Sequence, residues 1–313
     1  MKIAVVGAGG VGGYFGAHLA AGGQDVWFIA RGAHLDAMRA RGLQVLSGNG
    51  DVLVRPVQAS ADVREVGVCD LVVIAVKLWA TREALEQARP MVGPDTAVVS
   101  FQNGVIAVDE VVAVYGRGRA LGGVANIAAV IEEPGVIRHT GSMALLQFGE
   151  LDGRVTPRVQ ALQKACERAG FAYKVADDIQ KAIWEKYVFL VAASSMTALT
   201  RLPLGPVRED ADTRALMRQV MDEVAAVGRA KGVGLDPDLV ERVLQRVDGL
   251  PREMVASMLG DLERGNRLEL PWLAGGVVQM GRALNLPTPA NGFAYAVLKH
   301  YIDGRPKDAR SPA

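Results

Sequence analysis

The segment Gly7-Ala8-Gly9-Gly10-Val11-Gly12 constrains this chain more than any other, because it follows the short aliphatic run Lys2–Val6 directly. After it come Val11, Phe15, His18 and Leu19 at helical spacing. A GxGxxG pattern at a strand-to-helix junction predicts the opening of a dinucleotide-binding βαβ unit. Gly7 permits the tight turn, Gly9 lets the backbone approach a pyrophosphate, and Gly12 allows the helix to pack closely on the strand. Ala8, Gly10 and Val11 complete the cofactor-binding stretch, with the helix N-terminal N–H groups facing the phosphate charge. A glycine-rich turn without a ligand is the plainer alternative, and the flanking elements argue against it.

A site for NAD normally offers Asp or Glu about 20 residues past the glycines, where it binds the ribose hydroxyls. Arg31 occupies that place at the end of the second strand, Asp25–Ala30. A guanidinium fork suits a 2′-phosphate, so NADPH is the expected cofactor and a solvated surface arginine the alternative.

Downstream, Leu43–Leu46 and Val52–Val57 flank the turn-rich Ser47–Asp51, which predicts an antiparallel hairpin rather than another crossover. Asp70–Val76 and Thr96–Phe101 have the near-continuous aliphatic character of strands buried on both faces of a parallel sheet. Between them a helix is expected over about Thr81–Arg89, closed by Pro90. Three extended segments (Leu121–Ile127, Gly135–Thr140 and Ala144–Phe148) precede a helix over Pro157–Ala169. A last extended stretch, Phe171–Val175, ends the mixed region, and from Asp178 onward the pattern is helical. The expected architecture is α/β: a Rossmann-type, doubly wound sheet domain over residues 1–175, then an all-α C-terminal domain over 176–313. The tail from Gly304, with Pro306 and Pro312, is expected to fray.

Composition narrows the partners. Half of the 313 residues are hydrophobic and 22% are charged, enough apolar surface for a real core. Lys plus Arg number 35 against 34 Asp plus Glu, which provides no field for nucleic acid or for an anionic membrane. The apolar N-terminus is broken by eight glycines before position 24, unlike a secretory signal. With only Cys69 and Cys166, no disulfide framework or thiolate metal site is expected, and a cytoplasmic setting follows. The partner is a small molecule.

Two charges in apolar surroundings stand out beyond the glycine motif. Lys186, in Trp184-Glu185-Lys186-Tyr187, precedes the apolar run Val188–Ala193, and Glu269 lies between Leu268 and Leu270. Taken singly, Lys186 reads as a snorkelling helix residue and Glu269 as a surface carboxylate.

In combination these residues resemble the ketopantoate reductase family over nearly the whole chain. The matching motifs, in order, are glycines 7–12, Arg31 in Ala30-Arg31-Gly32, Lys77 after Val76, Phe101-Gln102-Asn103-Gly104, Trp184-Glu185-Lys186, and Ser257 with Asp261 and Glu269. The resemblance implies NADPH-dependent reduction of a 2-oxo acid to a 2-hydroxy acid, with Lys186 as general acid. It puts Asn103 at both cofactor and substrate near the nicotinamide, Lys77 and Ala129 at cofactor contacts, and Ser257 and Asp261 on the substrate side. Glu269 matches a carboxylate beside the lysine and the nicotinamide. A developing alkoxide needs a proton donor and positive charge, which a protonated Lys186 supplies and Glu269 would hold in place. Asn103 in Asn-Gly also reads as a turn former, although it follows a buried parallel strand, where open sheets bind ligands.

The departures concern the substrate. Where the family generally has asparagines, four and eight residues past the lysine and once farther on, this chain has Leu190, Ser194 and Leu204. Lys186, Leu190 and Ser194 share one helical stripe, so the substrate-binding set itself is expected to differ. A more apolar 2-oxo acid, as for a D-2-hydroxyacid dehydrogenase on the same scaffold, is therefore an alternative. A non-catalytic NADPH sensor is another, against which Lys186 and Glu269 both weigh. A homodimer is implied by resemblance only.

Overall fold

The structure, a computed structural model, describes residues 1–306; the expectation for the tail beyond Pro306 lies outside the described residues. The chain divides into two compact units, Met1–Ala182 and a second beginning at Ile183.

The first unit opens as its glycines require: β1 (Lys2–Val6), α1 (Gly10–Ala21), β2 (Asp25–Ile29) and α2 (Gly32–Arg41). The expected hairpin follows as β3 (Leu43–Leu46) paired antiparallel with β4 (Val52–Val54). The chain does not stay in that hairpin, however. Beyond the cis Arg55-Pro56 peptide, β5 (Gln58–Ser60) pairs parallel with β2, a strand that no sequence pattern announced. With three residues and no hydrophobic alternation, β5 takes its place because the open edge of β2 offers it partners.

Then come β6 (Cys69–Ile74), α3 (Thr81–Gln87), β7 (Val92–Ser100) and α4 (Ala107–Tyr115). Pro90 lies within a short 3-10 turn, Arg89–Met91, just past the end of α3. The three expected extended segments resolve into two long antiparallel strands, β8 (Ala120–Glu133) and β9 (Val136–Glu150). The interruption near Gly141 falls at a register shift between Ile127 and Ala128 and does not break the strand. The unit closes with α5 (Pro157–Ala169) and β10 (Ala172–Val175), which pairs parallel with β9.

The sheet runs β4-β3-β9-β8-β7-β6-β1-β2-β5. Alternation along β1 shows why helices cover both faces. Ile3 and Val5 pack with Phe15 and Leu19 of α1 and Leu162 of α5, whereas Ala4 and Val6 pack with Leu85 of α3 and Val111 of α4.

Helix α6 (Ile179–Thr200) runs across the unit boundary. The second unit continues with α7 (Leu204–Glu209), α8 (Ala211–Ala230), α9 (Leu239–Asp248), α10 (Ser257–Glu263), α11 (Ala274–Ala283) and α12 (Pro289–Leu298). Helix α8 packs against α7, α9, α11 and α12. Its stripe Met217, Val220, Met221 and Val224 is fully buried, the period expected of a central amphipathic helix. Among the described residues no helix is long and apolar enough to cross a membrane.

Candidate functional site

In the first unit the parallel strands end in register. Val6 pairs with Ile29 and with Ile74, and Ile74 pairs with Ser100. The segments that leave these ends carry Gly7–Gly12, Arg31, Lys77 and Asn103, so four separated stretches of sequence emerge along one edge of the sheet. Strand order reverses there, since β2 and β5 lie to one side of β1 while β6 and β7 lie to the other. Open α/β sheets bind their ligands at such a switch point.

The glycine loop is built as its motif demands. Gly7 has φ +101°, and its N–H donates to the carbonyl of Ile29. A Cβ on Gly12 would lie 2.1 Å from the Gly7 carbonyl oxygen, and one on Gly10 would lie 1.9 Å from that of Ala129. Close packing therefore accounts for both glycines, and it brings Ala129 on β8 against the loop. A Cβ on Gly9 would meet nothing within 4 Å, so internal packing does not explain that glycine. Gly9 caps α1 without a side-chain hydrogen bond, and the first turn of the helix holds no acidic residue. A helix start that no side chain caps, beside an open backbone at Gly9, fits the pyrophosphate of a dinucleotide.

Arg31 caps α2 at the end of β2 with 67% of its side chain exposed. Its Nη2 donates to Oε1 of Gln87 at 2.7 Å and lies 3.5 Å from Oε1 of Glu83, both on α3. Lys77 is exposed past the end of β6, with Nζ 5.8 Å from the centre of the Trp79 ring. Asn103, half-buried, follows Gln102, whose Nε2 donates to the carbonyl of Val76 and to Oγ1 of Thr81, each at 2.8 Å. Gln102 thus ties the end of β7 to the loop that carries Lys77. His34, in the first turn of α2, accepts the N–H of Gly135 at Nδ1 (3.0 Å), which leaves Nε2 to donate to the carbonyl of Ala8 at 2.9 Å. A ring that accepts at Nδ1 is the neutral form, and burial favours that form by lowering the His34 pKa, against the opposing effect of the Ala8 hydrogen bond.

In the second unit Lys186 and Glu269 act on each other. Desolvation draws the Lys186 pKa down to about 8, and the Glu269 carboxylate opposes that fall by favouring the ammonium. Glu269 is buried, at 7% exposure. Tyr187 holds the main chain that follows Glu269. Its hydroxyl donates to the carbonyls of Trp272 and Leu273 at 2.9 and 2.8 Å, and the N–H of Trp272 donates to the carbonyl of Glu269 at 3.0 Å. The turn bearing Glu269 is thereby fastened to the helix bearing Lys186. The neighbouring Glu185 faces Arg242 at 3.7 Å instead, as a partly exposed pair.

The remaining expected substrate residues differ among themselves. Leu190 is half-buried one turn past Lys186, whereas Ser194 and Leu204 are 0% exposed. The Ser194 hydroxyl makes no hydrogen bond among the described residues. Ser257 is exposed at the start of α10. Asp261 accepts from Nη2 of Arg264 and Nδ2 of Asn266, both at 3.2 Å.

Sequence reading overlooked Gln102, His34, Glu83, Gln87 and Tyr187 as supporting residues. Only Gln102 left a local signal, a polar side chain next to a buried strand end.

The model for the ketopantoate reductase PanE/ApbA family matches residues 3–153, and that for its C-terminal domain matches residues 178–302. A 2-dehydropantoate 2-reductase of Mesorhizobium japonicum is 36% identical over 96% of this chain and 97% of its own length. The crystal structure of a 2-dehydropantoate 2-reductase from Geobacter metallireducens superposes with a TM-score of 0.89 at 30% identity, covering 96% of this chain and 99% of that one. D-mandelate dehydrogenase, solved with NADH and anilino(oxo)acetate, shares the fold at a TM-score of 0.86 and 20% identity, covering 96% of this chain and 98% of that one.

Proposed function

Because the chain belongs to the ketopantoate reductase PanE/ApbA family, we propose that it reduces the ketone of a small 2-oxo acid to the 2-hydroxy acid with NADPH. The observation that carries this reading is Lys186, a lysine on an apolar helix whose pKa is drawn down to about 8 while a buried carboxylate acts on it.

NADPH, when bound, supplies the hydride. Gly7–Gly12 and the N-terminus of α1 would hold its pyrophosphate, and Arg31 its 2′-phosphate, with Lys77 and Asn103 as further contacts. As the carbonyl carbon gains the hydride, its oxygen gains charge, and Lys186 Nζ donates the proton that completes the hydroxyl. A lysine with a pKa of about 8 is protonated near neutrality yet gives up its proton more readily than a solvated one. Glu269 keeps the ammonium charged and in place. Cys69 and Cys166, buried free thiols, fit a protein of the reducing cytoplasm.

The substrate side differs from the family's usual asparagines at one partly accessible position, Leu190. An apolar group there favours a 2-oxo acid with an apolar or branched side chain over ketopantoate, whose hydroxyl needs a partner. Stopped-flow oxidation of bound NADPH on mixing with a panel of 2-oxo acids tests both statements. The expected result is rapid oxidation, with higher kcat/KM for an apolar branched acid and a shift toward ketopantoate in Leu190→Asn. No oxidation by any acid would remove the reductase reading. Ketopantoate proving best would remove only the apolar preference.

A further inference from the structure

We infer that Glu83 limits how strongly this protein prefers NADPH over NADH, by holding a carboxylate against the guanidinium that receives the 2′-phosphate. The inference rests on the reading of Arg31 as that receiver.

Three side chains from two separated elements meet at this corner. Arg31 Nη2 donates to Gln87 Oε1 at 2.7 Å, Gln87 Nε2 donates to Glu83 Oε1 at 2.7 Å, and the same Glu83 oxygen lies 3.5 Å from Arg31 Nη2. Glu83 and Gln87 are one turn apart on α3, so a single helical face presents both to the arginine. The amide bridges the two opposite charges and keeps the carboxylate close.

A phosphate that approaches Arg31 replaces the Gln87 amide and comes within a few ångströms of Glu83. Its attraction to the guanidinium is then offset in part by repulsion from the carboxylate. Both charged side chains are about two-thirds exposed, at 67% and 62%, so solvent screens the repulsion and its effect is moderate. NADH carries no phosphate there and meets no such repulsion. Sites for NAD use a carboxylate at the end of the second strand to bind the ribose hydroxyls. Here the strand end carries Arg31, and α3 brings a carboxylate to the same corner from elsewhere in the sequence. The corner therefore combines the cation suited to NADPH with the anion suited to NADH.

Equilibrium titration of cofactor fluorescence with the whole protein tests this without any turnover. Glu83→Gln keeps the shape of an exposed side chain and removes its charge. The ratio of the NADH Kd to the NADPH Kd is expected to rise about 3- to 10-fold in this variant, mainly through tighter NADPH binding, and the gain should shrink at high salt. Arg31→Ala is titrated alongside and should lower the ratio. A ratio that Arg31→Ala leaves unchanged would overturn the 2′-phosphate reading itself. If Arg31→Ala lowers the ratio but Glu83→Gln leaves it within about two-fold of the parent or lowers it, the role given to Glu83 is overturned while that of Arg31 stands.

Discussion

The hydroxyl of Tyr187 lies 2.8 Å from the carbonyl oxygen of Leu273, and this bond, with its companion to Trp272, fastens the Glu269 turn to the helix that bears Lys186. Tyr187 is buried, and burial pushes its phenol pKa far up, so the group remains a neutral donor across the working pH range.

Tyr187→Phe keeps the ring and removes the donor. Losing one buried hydroxyl that serves two carbonyls should cost about 1 to 3 kcal/mol of stability. Because the loss loosens the turn that carries Glu269, kcat should fall by about 3- to 10-fold while the NADPH Kd stays near its parent value. Thermal unfolding, steady-state kinetics and cofactor titration on one preparation check this. A lowered Tm with unchanged kcat would make the tyrosine a stabilising residue only.

The pH dependence follows from Lys186. In the proposed mechanism only the Lys186 ammonium donates the proton, so kcat/KM should decline above about pH 8, where the group titrates. Glu269 favours the charged form, so Glu269→Gln should move that decline to lower pH. Lys186→Ala should lower kcat by about 100-fold or more. The folded-state pKa lies below the ordinary 10.5, so keeping Lys186 charged disfavours the folded state at neutral pH, and this penalty fades as pH rises from about 8 toward 10.5. Lys186→Met should accordingly raise Tm at pH 7 while lowering kcat as Lys186→Ala does. A pH profile that is flat through pH 9, or that Glu269→Gln leaves in place, would contradict the assignment.

His34 should matter equally for both cofactors. Its hydrogen bond to the Ala8 carbonyl orients the loop assigned to the pyrophosphate, which NADPH and NADH share. His34→Leu is expected to weaken both by the same factor, about 3- to 10-fold, the loss that one hydrogen bond commonly brings. Parallel titrations decide the matter, and a loss confined to NADPH would mean that His34 acts through Arg31 instead.

Local pattern sufficed for much of this protein. The glycines after Val6 announce a turn and a helix start by their spacing alone, although the contacts that require Gly7 and Gly10, with Ala75 and with Ala129 on β8, come from elsewhere in the chain. The aliphatic runs of β6 and β7 declare strands covered on both faces, and Lys186 stands out as a charge that an apolar helix must explain. What the sequence left open depends on partners distant in the chain. β5 has no pattern of its own and exists as a strand because β2 has an unpaired edge. β8 and β9 are continuous because their pairing carries them across positions that look like breaks. Arg31 could be proposed as a phosphate ligand from its place after β2, but the carboxylate opposite it comes from α3, 52 residues on, and no spacing rule links the two. Likewise the position of Lys186 could be read from sequence and its pKa could not, since desolvation and the field of Glu269 arise only once the helices around them have packed.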